Sequence, residues 1–139
     1  MAVHLVIATH GPLAQGFAES MKFIIQPENP VHTICAFTQD PDPGAAFDSL
    51  LEAFGETDTV VVLTDLLGGS VNKAIAQRLC QKRFHLIAGA NLATVLEFAV
   101  VSQQELTDAF VRDVVSAANG TIVYVNDSLS SSQEEESFF

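Results

Sequence analysis

Thr59-Val60-Val61-Val62-Leu63-Thr64-Asp65-Leu66-Leu67-Gly68-Gly69-Ser70 is the stretch that decides the fold. Its first six residues are β-branched almost throughout and predict a strand. The acid and the glycine pair break that run, after which Val71, Ile75 and Leu79 take up helical spacing. The same strand-to-helix step recurs on both sides. Upstream, Ala2 to Ala8 is a short apolar run, as expected of a strand buried on both faces in a parallel sheet, and it ends at Thr9-His10-Gly11. Pro12 suits a first helical turn, and Leu13, Phe17, Met21 and Ile24 follow at helical intervals up to the breaker Pro27. Val31 to Phe37 predicts a second strand, Gln39-Asp40-Pro41-Asp42-Pro43-Gly44 a loop, and Ala45 onward a helix carrying Phe47, Leu50, Leu51 and Phe54. Downstream come a fourth strand (Phe84 to Ala90), helical stretches at Leu92 to Val100 and Gln104 to Ala118, and, after Asn119-Gly120, a last strand from Thr121 to Val125. Repeated β-then-α spacing predicts an α/β fold, a doubly wound, mostly parallel open sheet with helices on both faces.

Composition narrows the function. With 139 residues, 48% of them hydrophobic, the chain can bury one real core. One domain is expected over residues 1–127, and the serine-rich acidic stretch 128–139, with Glu134-Glu135-Glu136, is expected to be a disordered tail. Against 17 acidic residues stand 6 basic ones, a net charge of -11 that repels nucleic acid and favours protein partners with basic or apolar faces. Cys35 and Cys80 lie in apolar segments and are expected as reduced core thiols. No basic segment precedes an apolar one at the start and no apolar run is long enough to cross a bilayer, so a cytoplasmic protein is expected.

In open α/β sheets the functional crevice lies beyond the carboxyl ends of the strands. His10 follows the first strand and Asp65 the third, so both are expected on one edge of the sheet, where they can meet. A histidine that accepts phosphate attacks through a neutral ring nitrogen while a fixed partner holds the other nitrogen as a donor. Asp65 is the natural holder: a carboxylate selects the tautomer, aims the ring and stabilises the developing imidazolium. Gly68 and Gly69 at a helix entry are expected to present backbone amides to phosphate oxygens, with Ser70 capping that helix and the Ser70 or Thr9 hydroxyl adding a donor. Gly11 keeps the nucleophile loop uncrowded. The spacing around Gly68-Gly69 is neither a Walker loop nor a dinucleotide fingerprint, and no cluster has metal-ligand spacing, so neither metal nor cofactor is expected. His4, His32 and His85 lie within strands or at their starts and are expected to be structural or solvent-exposed.

Three blocks, in order, resemble the mannose-type (mannose, fructose, sorbose) enzyme IIA domains of the bacterial phosphoenolpyruvate-dependent sugar phosphotransferase system: Thr9-His10-Gly11 with Ala14, Gly16 and Phe17; Thr64-Asp65-Leu66-Leu67-Gly68-Gly69-Ser70; and Ile87-Ala88-Gly89-Ala90-Asn91-Leu92 with Glu97. The resemblance covers the chain up to about Asp127. It implies that His10 is the phosphorylated histidine and Asp65 its partner. It also implies a homodimer, in which the last strand is antiparallel and packs across the subunit interface. Phosphate would arrive from the histidine-containing phosphocarrier protein and leave to a IIB component that phosphorylates sugar during transport, with membrane association only indirect, through the transporter complex. This chain departs from the family pattern at Val71, Lys73 and Ala93, where two prolines and an asparagine are common, and Lys73 could bring a positive charge toward phosphate or an acidic partner. Two other readings are open: a regulatory or interaction module that signals through the phosphorylation state of His10, and a small-molecule enzyme of flavodoxin-like shape, the latter disfavoured because no phosphate-binding fingerprint follows the first strand.

Overall fold

Side chains of the first strand, β1 (Val3–His10), alternate between two separate cores. Val3, Leu5 and Ile7 join one core, together with Ala14 and Met21 of α1 (Leu13–Met21), Val95 and Phe98 of α4 (Leu92–Val100) and Val114 of α5 (Asp108–Asn119). Val6 and Ala8 join the other, with Phe47 of α2 (Pro43–Ala53) and Val71 and Ile75 of α3 (Ser70–Ala76). A strand apolar at every position is what a period of two requires when both faces are covered. Phe98 and Phe47, one in each core, are fully buried, each stabilising the fold by about 2–3 kcal/mol through the apolar area it removes from water.

The computed structural model describes residues 1–129, so most of the expected acidic tail lies outside the described residues. With β2 (Val31–Ala36), β3 (Thr59–Thr64) and β4 (His85–Ala88), β1 forms a four-stranded, wholly parallel sheet in the order β2-β1-β3-β4. The chain runs from β1 to one side and then crosses back to β3 on the other. Right-handed crossovers in opposite directions therefore put α1 on one face and α2 and α3 on the other. The strand order reverses at β1, and the crevice between the carboxyl ends of β1 and β3 is the switch point of the sheet. The α/β doubly wound class is thus the observed one.

Several element boundaries differ from those expected. α2 begins at Pro43 rather than Ala45: proline needs no amide partner in a first turn, and Asp42 caps the helix by accepting from Ala45 N at 3.1 Å. α5 starts at Asp108 rather than Gln104, because Thr107 supplies the cap, accepting from Phe110 N at 3.1 Å. The helix after Ser70 tightens beyond Ala76 into a 3-10 turn, Gln77–Cys80, which leaves Leu79 and Cys80 exposed. Cys35 is buried as expected, whereas Cys80 is not a core thiol.

The expected last strand, Thr121 to Val125, is not in the sheet. Thr121 ends a turn and Val125–Ser128 forms a short helix, α6, while Ile122 is 89% exposed and Tyr124 67% exposed. A strand exists only by pairing its backbone, and within the described residues of one chain this stretch pairs with no strand.

Candidate functional site

His10 is the last residue of β1 and, at an even position, faces the side of the sheet covered by α2 and α3. Asp65 directly follows β3, the neighbouring strand. The fold thus brings together two side chains 55 positions apart that the strand-end rule placed on one edge. Asp65 Oδ2 accepts from both the backbone amide of His10, at 2.8 Å, and its ring Nδ1, at 2.9 Å. Asp65 Oδ1 accepts from Leu66 N at 2.9 Å. Burial acts to raise the Asp65 carboxyl and is the largest single influence, but the hydrogen bonds from His10 and Leu66 together hold it below the usual carboxylate value. The group is therefore ionised and can only accept, so Nδ1 carries the hydrogen. Nε2 is left with its lone pair and lies 3.1 Å from Ser70 Oγ, whose hydroxyl donates to it. The Asp65 side chain is 12% exposed and that of His10 40%, so the carboxylate is shielded while the imidazole opens toward solvent.

The loop between β3 and α3 is shaped to admit the ring. Gly68 has φ +73°, and a Cβ placed on Gly69 would stand 3.2 Å from Leu66 O and 3.4 Å from His10 Cε1. Its amides, however, are engaged: Gly68 N donates to Asn72 Oδ1 at 3.0 Å and Gly69 N to Leu66 O at 3.0 Å. The open donors at this corner are instead the amides of the first residues of α3, Ser70 and Val71, which lie too early in the helix for an intrahelical partner, while the Ser70 hydroxyl is engaged with Nε2. Gly69, not Ser70, occupies the cap position, with no side-chain cap.

Thr9 does not belong to the site. Adjacent strand residues point to opposite faces, so Thr9 is turned toward α1, fully buried, with its hydroxyl oxygen accepting Ala14 N at 2.7 Å. It anchors the start of α1 instead of meeting phosphate. Lys73 is exposed and makes no ion pair among the described residues.

Two residues that sequence reasoning passed over stand at the site. Asn72 is buried; besides taking the Gly68 amide, its Nδ2 donates to Thr64 Oγ1 at 3.0 Å and so ties the loop to the end of β3. A lone asparagine beside the apolar Val71-Ile75 stripe was the available signal. On the opposite flank, the Phe37 ring stands 5.7 Å from the His10 ring, centroid to centroid. The grooves between α2 and the 3-10 turn, between α4 and α5, and beside Asp58 and His85 do not include His10. His10 lies on an open surface.

His10 and Asp65, the two residues that the resemblance pairs, lie side by side at the ends of neighbouring strands. Residues 4–115 match the EIIA-man family, described as the PTS system fructose IIA component. The chain belongs to this family. Membership in the IIA family gives it a role in the sugar phosphotransferase system. Solved structures agree on the fold. A protein from Klebsiella pneumoniae assigned as a phosphoenolpyruvate-dependent sugar phosphotransferase system permease is 27% identical with a TM-score of 0.83, covering 94% of this chain and 96% of that one. The mannose/sorbose-specific IIA subunit from Enterococcus faecalis is 22% identical with a TM-score of 0.73, over 88% and 94%. The PTS IIA protein associated with the fucose utilization operon of Streptococcus pneumoniae is 18% identical with a TM-score of 0.74, over 94% and 98%. Among curated proteins none matches. No helix among the described residues is long and apolar enough to cross a membrane.

Proposed function

We propose that this IIA-family chain is a phosphoryl relay, accepting phosphate on His10 from a histidine-containing phosphocarrier protein and passing it to a IIB component of a sugar phosphotransferase system. The observation that carries this reading is the 2.9 Å contact of His10 Nδ1 with Asp65, which leaves the lone pair on Nε2, where attack needs it. As Nε2 bonds to phosphorus, the ring becomes cationic, and the Asp65 carboxylate stabilises that charge without taking the proton. The Ser70 hydroxyl, already directed at Nε2, and the first amides of α3 supply donors for the phosphoryl oxygens. No step calls for a metal or an organic cofactor.

Protein substrates fit the surroundings. The loops flanking His10 expose Leu13, Phe37, Leu66 and Leu67, an apolar rim of the kind that a partner covers on docking. Such a relay works in the cytoplasm and reaches the membrane only through its transporter. The open outer edge of β4 and the exposed, β-branched Ile122-Val123-Tyr124-Val125 support a homodimer, in which each chain lends that stretch to its partner as an antiparallel strand.

Incubation with phosphoenolpyruvate, enzyme I and the phosphocarrier, followed by intact-mass measurement, tests the reading. The expected result is an acid-labile gain of one phosphoryl group that His10→Ala abolishes. No gain on the wild-type chain would refute it, and a gain that no IIB component can discharge would favour the regulatory module.

A further inference from the structure

Among the described residues, Phe37 is the one non-glycine residue with a left-handed backbone, φ +67°. A bulky residue pays strain there, and such strain persists only where the surroundings over-determine it. Here Asp40 does so. Its side-chain Oδ2 accepts Cys35 N at 2.9 Å, its own amide donates to Cys35 O at 3.1 Å, and its carbonyl accepts Phe37 N at 2.9 Å. A further bond, from Thr38 Oγ1 to Cys35 O at 2.9 Å, closes the turn. The outer edge of β2 is thus capped by Asp40, and the chain is bent so that Phe37 turns back toward the active histidine.

The consequence follows from strand order. His10 ends the strand that lies between β2 and β3. From the β3 side, Asp65 holds Nδ1, Ser70 meets Nε2 and Gly69 lies under Cε1. Among the described residues, the β2 side offers Phe37, its ring tilted 46° to the imidazole at 5.7 Å, within the range of favourable aromatic pairs, while remaining 57% exposed.

We propose that Phe37 is a positioning residue for His10: its ring walls the flank that the β3 loop leaves open, keeping the imidazole in its Asp65-bonded rotamer and water away from a phosphoryl group on Nε2. The proposal rests on the relay reading and extends it to the lifetime of the phosphorylated state. In the unwanted reaction a water oxygen attacks phosphorus, the phosphorus–nitrogen bond breaks with its electron pair returning to Nε2, and inorganic phosphate leaves. A ring on this flank blocks that approach, whereas a docked partner brings its own nucleophile from the solvent side.

The test uses potassium phosphoramidate, a small donor from which Nε2 takes the phosphoryl group as ammonia leaves, so that no partner protein is needed. Phe37→Asn tolerates the left-handed backbone but removes the ring; Phe37→Tyr keeps the ring. For the phosphorylated asparagine variant we expect hydrolysis about 2- to 12-fold faster than wild type, the span to which the energy of an aromatic pair converts. We expect near wild-type lifetime for the tyrosine variant, and for Phe37→Asn a melting temperature equal to or above wild type, because strain is relieved. In the unphosphorylated chain, ring nitrogen chemical shifts of His10 should move toward the averaged tautomer values in Phe37→Asn alone. Equal lifetimes and unchanged ring shifts overturn the proposal, as does a loss of lifetime matched by a loss of melting temperature. Should phosphoramidate leave His10 unmodified, the ring shifts alone decide. Loading by phosphoramidate but not by the phosphocarrier would remove the relay reading while leaving Phe37 its role.

Discussion

Asp65 binds His10 twice through a single oxygen, taking both the backbone amide and the ring Nδ1 on Oδ2 at 2.8 and 2.9 Å. The strand end and the side chain it carries are therefore fixed by the same atom. Asp65→Asn keeps the shape but puts an amide where an anion stood, so the tautomer is no longer dictated. We expect phosphoryl transfer to slow by about 10²- to 10⁴-fold, the scale on which such holders act, without being abolished. Quench-flow transfer from the phosphocarrier measures it, and an unchanged rate removes Asp65 from the mechanism.

The two loop glycines should fail differently. Gly68 sits at φ +73° with open space around it, so Gly68→Ala should cost about 1 kcal/mol of stability through backbone strain. Gly69 has an ordinary φ of -68°, so Gly69→Ala should barely move the melting temperature. Its new methyl presses on Leu66 and on His10 Cε1, and slower transfer is the expected effect. Thermal melts paired with transfer rates distinguish the two, and a rate loss that merely tracks stability in both would contradict the argument.

Asn72→Leu should cost more than either. The Gly68 amide loses its acceptor and the buried Thr64 Oγ1 its donor, a penalty of about 1–3 kcal/mol, most of it at the threonine hydroxyl that water does not reach. Denaturant unfolding measures the loss. Asn72→Asp, which keeps the acceptor for Gly68, should recover part of it.

Acid should destabilise the chain in two steps. Burial lowers His32, with His4 adding to the effect, and burial likewise lowers His85 despite the opposing attraction of Asp108. The unfolded chain therefore takes up these protons first, near pH 6.5, and folded stability falls as the pH drops through that value. The second step belongs to carboxyls held below their ordinary range. Asp58 is lowered by hydrogen bonds from the Gly55 and Ala2 amides and then from His4, and Asp65 is lowered as described above. Their contribution is complete above about pH 4 and is lost as the pH falls toward their depressed folded values. Melting curves from pH 8 to pH 3 should show both steps. His32→Gln should flatten the first and Asp58→Asn the second; a pH-independent melting temperature would contradict both assignments.

The convergence of His10 and Asp65 was legible because it depends only on each residue ending a strand, and the strands announce themselves as apolar runs. The burial of Thr9 was legible too, had the period of two been carried one residue past the apolar run. Other features depend on contacts that no local pattern encodes. Gly68 and Gly69 look like free donors until Asn72 and Leu66 take their amides. The left-handed turn at Phe37 exists only because Asp40 reaches back to Cys35, and the preceding residues read as simple strand. Ile122 to Val125 carry a strand's composition, yet composition supplies no pairing edge.

The pleat of β1 gives Thr9 and His10 unlike duties on opposite sides of the sheet, one fastening α1 and the other facing the crevice. Removing any single residue between Val3 and Ala8, with the strand pairing kept, would turn each to the other face, burying the imidazole beneath α1 and leaving Gly11 in its place beside Asp65. A frame that tolerates apolar exchanges freely is for this reason intolerant of a change in count.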